Sequence, residues 1–259
     1  MKAEDLFAHM KQAGHFVDWS GSCDGFKAGN PDSEVRGIAV SWQSSWPALK
    51  MAHEVGCNLF VTHEPTFYVH MDDDRSVFEY PHVRDKRQWL EDTGMVIYRC
   101  HDVWDAIPGI GIVQAWARQL GFDEPPVSER LFYQAHQVDC TVREMAERIK
   151  ERCAPIGQTS VEILGDPEKH ITCVAIGTGA ITHLQTMQEM GADCAILTDD
   201  GMAYWSAGCW ALDSDYPLIV VNHATAEEPG MVTLAEYLAN AFPDVPVTHI
   251  PRGCLFTTV

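Results

Sequence analysis

Apolar residues recur in two rhythms along the chain, as short β-rich runs and as longer stretches with helical spacing. Residues 1–15 have the helical spacing, and VRGIAVSW at 35–42 is a strand. WPALKMAHEVG, with helical spacing and a glycine stop, and the buried strand CNLFV follow. Two apolar runs joined by a helix make a βαβ unit with adjacent parallel strands. Further on, 84–93 is a polar helix, GMVIYRC at 94–100 a strand, and GIVQAWARQLG at 111–121 an amphipathic helix. HDVWDAIPG between them is a loop or helix start. Residues 128–152 give a strand and the charged helix TVREMAERIK, with VEILGD beyond.

The second half restarts the pattern. ITCVAIGTG at 171–179, THLQTMQEMG and ADCAILTD repeat the order of GIAVSW, PALKMAHEVG and CNLFVTH. This favours two related α/β lobes over one continuous sheet. The first spans 1–125, with the C-terminal segment as a possible completion, and the second spans 126–259. PLIVV is a buried strand, and Pro229 and Gly230 ahead of MVTLAEYL place a helix start near 229.

At 259 residues and 46% hydrophobic content the chain can bury a substantial core. Its 37 acidic against 18 basic residues, a formal charge of -19, oppose binding to nucleic acid or anionic membrane. The nine cysteines are scattered without a CxxC pair, so neither a disulfide framework nor a zinc knuckle is expected. No run reaches the roughly 18–20 apolar residues of a membrane span, and the opening residues lack a signal-peptide core. The expected compartment is the reducing cytoplasm.

Histidines and carboxylates gather after strands: His63 and Glu64 after LFV, His101, Asp102 and Asp105 after VIYRC, His223 and Glu227 after LIVV. Carboxyl ends of neighbouring parallel strands meet along one edge, so these groups can converge. Imidazole and carboxylate together suit zinc, iron or manganese. A carboxylate can also bridge two ions about 3.5–4 Å apart, as in two-metal hydrolytic sites. Each group also has an ordinary reading. His63 can bond a backbone carbonyl, Glu64 before Pro65 can be a solvated turn, and His101 with Asp102 can be a local pair. Asp105 can cap a helix, and His223 with Glu227 can be a loop followed by an acidic first turn. Asp199 and Asp200 in LTDDG occupy the strand end equivalent to His63, as cleft residues or as a turn. His70 and His82 lie in a charged stretch that reads as a flap. There is no dinucleotide fingerprint, phosphate loop or GxSxG elbow.

CDGFKAGNP, GIAVSW, GCNLFVTHEPTF, IYRCHDVWDAIPGIGIVQAWARQLGF, GADCAILTD and VVNHATAEEPGMVTLAEYL together resemble the Nif3-like family, also described as the type 2 GTP cyclohydrolase I or dinuclear metal centre family. The resemblance spans most of the chain and implies two related α/β lobes with a metal cleft between them, assembled as a toroidal homohexamer without the inserted domain of longer members. The family's HHP falls on His63, Glu64 and Pro65, and its HTNLD on residues 101–105. Its terminal histidine and glutamate fall on His223 and Glu227. The implied metal ligands are His63, Glu64, Asp105, His223 and Glu227, with Glu227 bridging two divalent ions of iron, manganese or zinc. His101 and Asp102 are the implied proton-moving residues. Glu64 replaces the second histidine, adding a negative charge and a harder donor. Asp102 stands where threonine is usual. The implied activity is metal-dependent hydrolysis of a small molecule with a heterocyclic or amide-like bond. The alternatives are a protein delivering metal to an acceptor protein and a structural oligomer with a vestigial site.

Overall fold

A computed structural model describes residues 1–259. In chain order the elements are α1 (Ala3–Ala13), β1 (Gly25–Ala28), β2 (Ile38–Ser41), α2 (Trp46–Glu54), β3 (Leu59–Thr62), α3 (Pro81–Thr93), β4 (Val96–Arg99), α4 (Asp102–Ala106), α5 (Ile112–Gln119) and β5 (Ser128–Arg130). Then come β6 (Tyr133–Thr141), α6 (Val142–Cys153), β7 (Glu162–Leu164), β8 (His170–Gly177), α7 (Leu184–Glu189), β9 (Cys194–Thr198), α8 (Cys209–Asp213), β10 (Leu218–Val221), α9 (His223–Ala241) and β11 (Val247–His249). No helix is long and apolar enough to cross a membrane.

The chain folds into two compact units, Met1–Gly111 with Met231–Arg252, and Ile112–Gly230 with Gly253–Val259. In the first, the sheet order is β1-β4-β3-β2-β11. β11, β2, β3 and β4 are parallel, with Ile38 opposite Leu59 and Leu59 opposite Val96, while β1 runs antiparallel on the edge. Strand alternation sends Phe60 and Ile97 into a core with Leu49 of α2 and Val83 and Leu90 of α3. Tyr98 faces the other way, in ring contact with Phe7 of α1 and Phe26 of β1.

In the second unit the order is β5-β6-β8-β9-β10-β7, with β8, β9 and β10 parallel and β6 and β7 antiparallel to their neighbours. Val174, Ile176, Ile196 and Ile219 pack on one face against Trp116 of α5 and Met145 and Ile149 of α6. Ala175, Ala195, Leu197 and Leu218 pack on the other against Leu184 and Met187 of α7 and Ala211 of α8. Strands buried on both faces explain the continuous apolar runs. Val113, Trp116 and Leu120 belong to this core, so the division falls at 111/112, ahead of the 125/126 suggested by the spacing.

Both βαβ readings correspond to parallel neighbours, β2-α2-β3 and β8-α7-β9. The expected helix start near Pro229 is corrected: α9 begins six residues earlier, at His223, and carries Pro229 inside it. Asp199 Oδ1 accepts the His223 amide at 3.0 Å, and Ala224 and Ala226 are fully buried. Capping and burial therefore hold the early turns although proline removes one helical donor. The stretch around His70 is pinned. Asp72 accepts the amides of Thr66 and Phe67 at 3.2 and 2.6 Å, and the buried Lys86 donates to the Thr66 carbonyl at 2.8 Å. All nine cysteines are free thiols, and Cys209 on α8 is the exposed one.

Candidate metal centre

The parallel register puts the carboxyl ends of β2, β3 and β4 on one edge of the first sheet, and the candidate groups follow directly. After β3 the amides of His63 and Glu64 both reach the Trp42 carbonyl, at 3.2 and 2.8 Å, and the Thr62 hydroxyl donates to the Glu64 carbonyl at 3.0 Å. The sharp HEP turn is thereby fixed, with Pro65 keeping Glu64 out of helical geometry. His63 is fully buried; its Nδ1 lies 3.1 Å from the Cys100 carbonyl and its Nε2 3.5 Å from Asp105 Oδ1. The carbonyl can only accept, which places a proton on Nδ1, and Nε2 faces the carboxylate.

After β4, His101 stacks on His63 with ring centroids 4.5 Å apart. Its Nδ1 lies 2.9 Å from Asp102 Oδ1 and 3.3 Å from Asp105 Oδ2. Burial opposes protonation of His101, but Asp105 and Asp102 outweigh it and raise its pKa well above the ordinary value. Asp102 accepts from the Ser22 hydroxyl at 2.7 Å and the Cys23 amide at 3.1 Å as well. Burial works against its ionisation, yet the His101 and Ser22 bonds hold its carboxyl well below the usual range.

A residue not singled out from the sequence, Asp24, organises this corner. Its carboxylate accepts the amides of His101, Asp102 and Val103 at 2.7, 2.8 and 3.1 Å, capping α4 from a distant loop. The stretch expected as a loop or helix start is therefore a capped helix that fixes Asp105 four residues after His101. The DG step in CDGFKAGNP signals a turn, but not which helix it caps.

In the second unit β9 and β10 end side by side. His223 opens α9 with Glu227 one turn on, and its Nε2 is 2.9 Å from Glu227 Oε1. Nδ1 is 2.7 Å from Asp200 Oδ2, while Asp199 takes the Asn222 side chain at 2.7 Å and the His223 amide. LTDDG is thus a support for His223 as well as a turn. Burial lowers the His223 pKa, but Glu227 and Asp200 outweigh it and push it up to about 11.

The residues fit a cation. Two buried imidazoles each have Nδ1 held by an acceptor and Nε2 turned toward a carboxylate, the pattern that orients metal-binding histidines. Carboxylates beside His101 and His223 raise the pKa of both rings, so each corner favours positive charge. Within the first unit, one donor atom from each of His63, Glu64 and His101 lies within 4.8 Å of the others, and the same holds for Cys23, His101 and Asp102.

These features define an α/β protein with histidine and carboxylate groups suited to metal at the carboxyl ends of its parallel strands. The chain belongs to the Duf34/NIF3 (NGG1p interacting factor 3) family, whose model matches residues 1–252. It is 24% identical to a "GTP cyclohydrolase 1 type 2 homolog" from Chlamydia pneumoniae, over 94% of this chain and 95% of that one. Its fold is similar to that of a hypothetical protein from Staphylococcus aureus, with a TM-score of 0.81 and 19% identity over 100% of this chain and 99% of that one. A Bacillus cereus protein related to NIF3 gives a TM-score of 0.79 at 12% identity, over 100% of this chain and 99% of that one.

Proposed function

We propose that this protein is a metal-dependent hydrolase of a small molecule, working with two divalent ions, iron, manganese or zinc. The ligands in this reading are His63, Glu64, Asp105, His223 and Glu227. The observation that carries it is the matched orientation of His63 and His223, each with Nδ1 engaged and Nε2 facing a carboxylate. The name of the Chlamydia relative supports a heterocyclic substrate, and the family resemblance supports a cytoplasmic toroidal hexamer.

Bound divalent ions would lower the pKa of water and polarise the electrophile. The chain's own contribution is orientation and proton handling. His101, kept protonated between Asp102 and Asp105, serves as the acid that protonates the leaving atom. Asp102, with hydrogen bonds to Ser22, Cys23 and His101, holds that ring in place and is a weak base. That engagement of Asp102 favours a second reading, a protein that presents metal to an acceptor without turnover.

The test is metal analysis of protein purified without added metal, with anomalous scattering at the candidate absorption edges. The hydrolase reading expects bound transition metal, and joint loss of metal and turnover in His63→Ala and Asp105→Ala. Turnover retained after chelation rejects it. Rapid transfer of metal to an acceptor, with no turnover across a small-molecule panel, favours the second reading.

A further inference from the structure

Arg99 closes β4, a strand buried along its whole length, and its side chain is fully buried. A guanidinium in that position needs an anion and hydrogen-bond acceptors, because an uncompensated buried charge is strongly destabilising. Its Nε donates to the His63 carbonyl at 2.9 Å and its Nη1 to the His70 carbonyl. Its buried Nη2 has no hydrogen-bond partner and lies 3.7 Å from Glu64 Oε2. One side chain therefore grips the backbone of His63, the stretch at His70 and the carboxylate of Glu64.

We propose that Arg99 is a positioning residue for the metal centre, forming with Glu64 a charge-compensated pair that stands in for a neutral donor at position 64. This rests on the metal-centre reading above. A carboxylate in place of an imidazole adds one negative charge, and the buried guanidinium adds one positive charge beside it, so the sum offered to a cation is that of a neutral ligand. Because Arg99 also holds the His63 carbonyl, the two adjacent ligands are fixed together.

The test is a double-mutant cycle of wild type, E64H, R99M and E64H/R99M, read by Mn(II) and Zn(II) stoichiometry and affinity and by the Tm of chelator-stripped protein. Each single variant is expected to weaken metal binding by roughly 10- to 100-fold, the usual cost of losing an orienting partner. The double variant, which removes both charges, is expected to recover most of that loss, a coupling that independent sites do not show. Losses that simply add overturn the proposal. If R99M fails to fold, E64Q in stripped protein carries the test. A paired Glu64 predicts a lower Tm on neutralisation, because Arg99 loses its anion. A Glu64 that only repels neighbouring carboxylates predicts an unchanged or higher Tm, and that result overturns the pair. A wild-type protein that takes up no Mn(II) or Zn(II) defeats the metal reading and the positioning role with it, whereas the stripped-protein Tm values decide the Arg99–Glu64 pair separately.

Discussion

His63 and His223 each sit just after a parallel strand, yet their rings are held by different means. The partner of His63 Nδ1 is a backbone carbonyl, that of Cys100, whereas the partner of His223 Nδ1 is the carboxylate of Asp200. A carbonyl fixes the tautomer and adds no net charge. A carboxylate fixes it and also makes the imidazole more basic. The two βαβ units differ accordingly in what their second strand delivers: β3 ends in a candidate ligand, while β9 ends in the two aspartates that support a ligand on the next strand. Similar folds thus divide support and ligation differently.

The sharpest way to break this comparison is to remove the rings themselves. His63→Ala and His223→Ala should each cost more metal affinity than the roughly 10- to 100-fold expected for loss of an orienting partner, as read by competition with a chromogenic chelator. A large loss in one and none in the other would show that only one unit contributes. Next in size is Asp200→Ala, expected to weaken metal binding about 10- to 100-fold, with Asp200→Asn in between because the amide oxygen still accepts from Nδ1. If Asp200→Ala binds metal like wild type, the carboxylate support on the second side carries no weight.

Acid should separate the units by a different route. In the second, His136 stacks on Phe122 with centroids 4.4 Å apart, and burial pushes its pKa down to about 4, with Arg148 acting the same way and Glu129 against. The unfolded chain takes up this proton near the ordinary value of 6.5, and the folded one only near 4. The stabilisation is therefore complete above about 6.5 and is lost as pH falls toward 4, roughly 1–3 kcal/mol in all. Denaturation at pH 7 and 4.5 should show a smaller acid loss in His136→Leu than in wild type. The smallest effect is expected from Asp24→Ala, which uncaps α4 at a cost of about 1–2 kcal/mol. It should lower the Tm of metal-free protein and disturb His101 more than His63.

The sequence carried the strand ends well, because a buried parallel strand followed by His-Glu, His-Asp or Asn-His is a local pattern. It also carried the βαβ order, which needs only apolar spacing and glycine stops. The supporting contacts were out of reach because they join distant positions. Asp24 acts across 77 residues on His101, Asp200 across 23 on His223, and Arg99 across 36 on His63. Nothing in VIYRC distinguishes a strand-end arginine in solvent from one sealed in the interior. The start of α9 was misplaced because Pro229 carries a first-turn signal, while the Asp199 cap that starts the helix comes from another strand.

The distribution of the nine thiols has a practical consequence for labelling. Burial raises the pKa of Cys23, Cys57, Cys100, Cys140, Cys153, Cys173 and Cys194, which suppresses the reactive thiolate at each, while Cys209 stands exposed on α8. A maleimide dye applied briefly at neutral pH should therefore mark Cys209 first, ahead of the half-buried Cys254. The native chain would then carry a fluorescent reporter on its second unit, without a cysteine-depleted background.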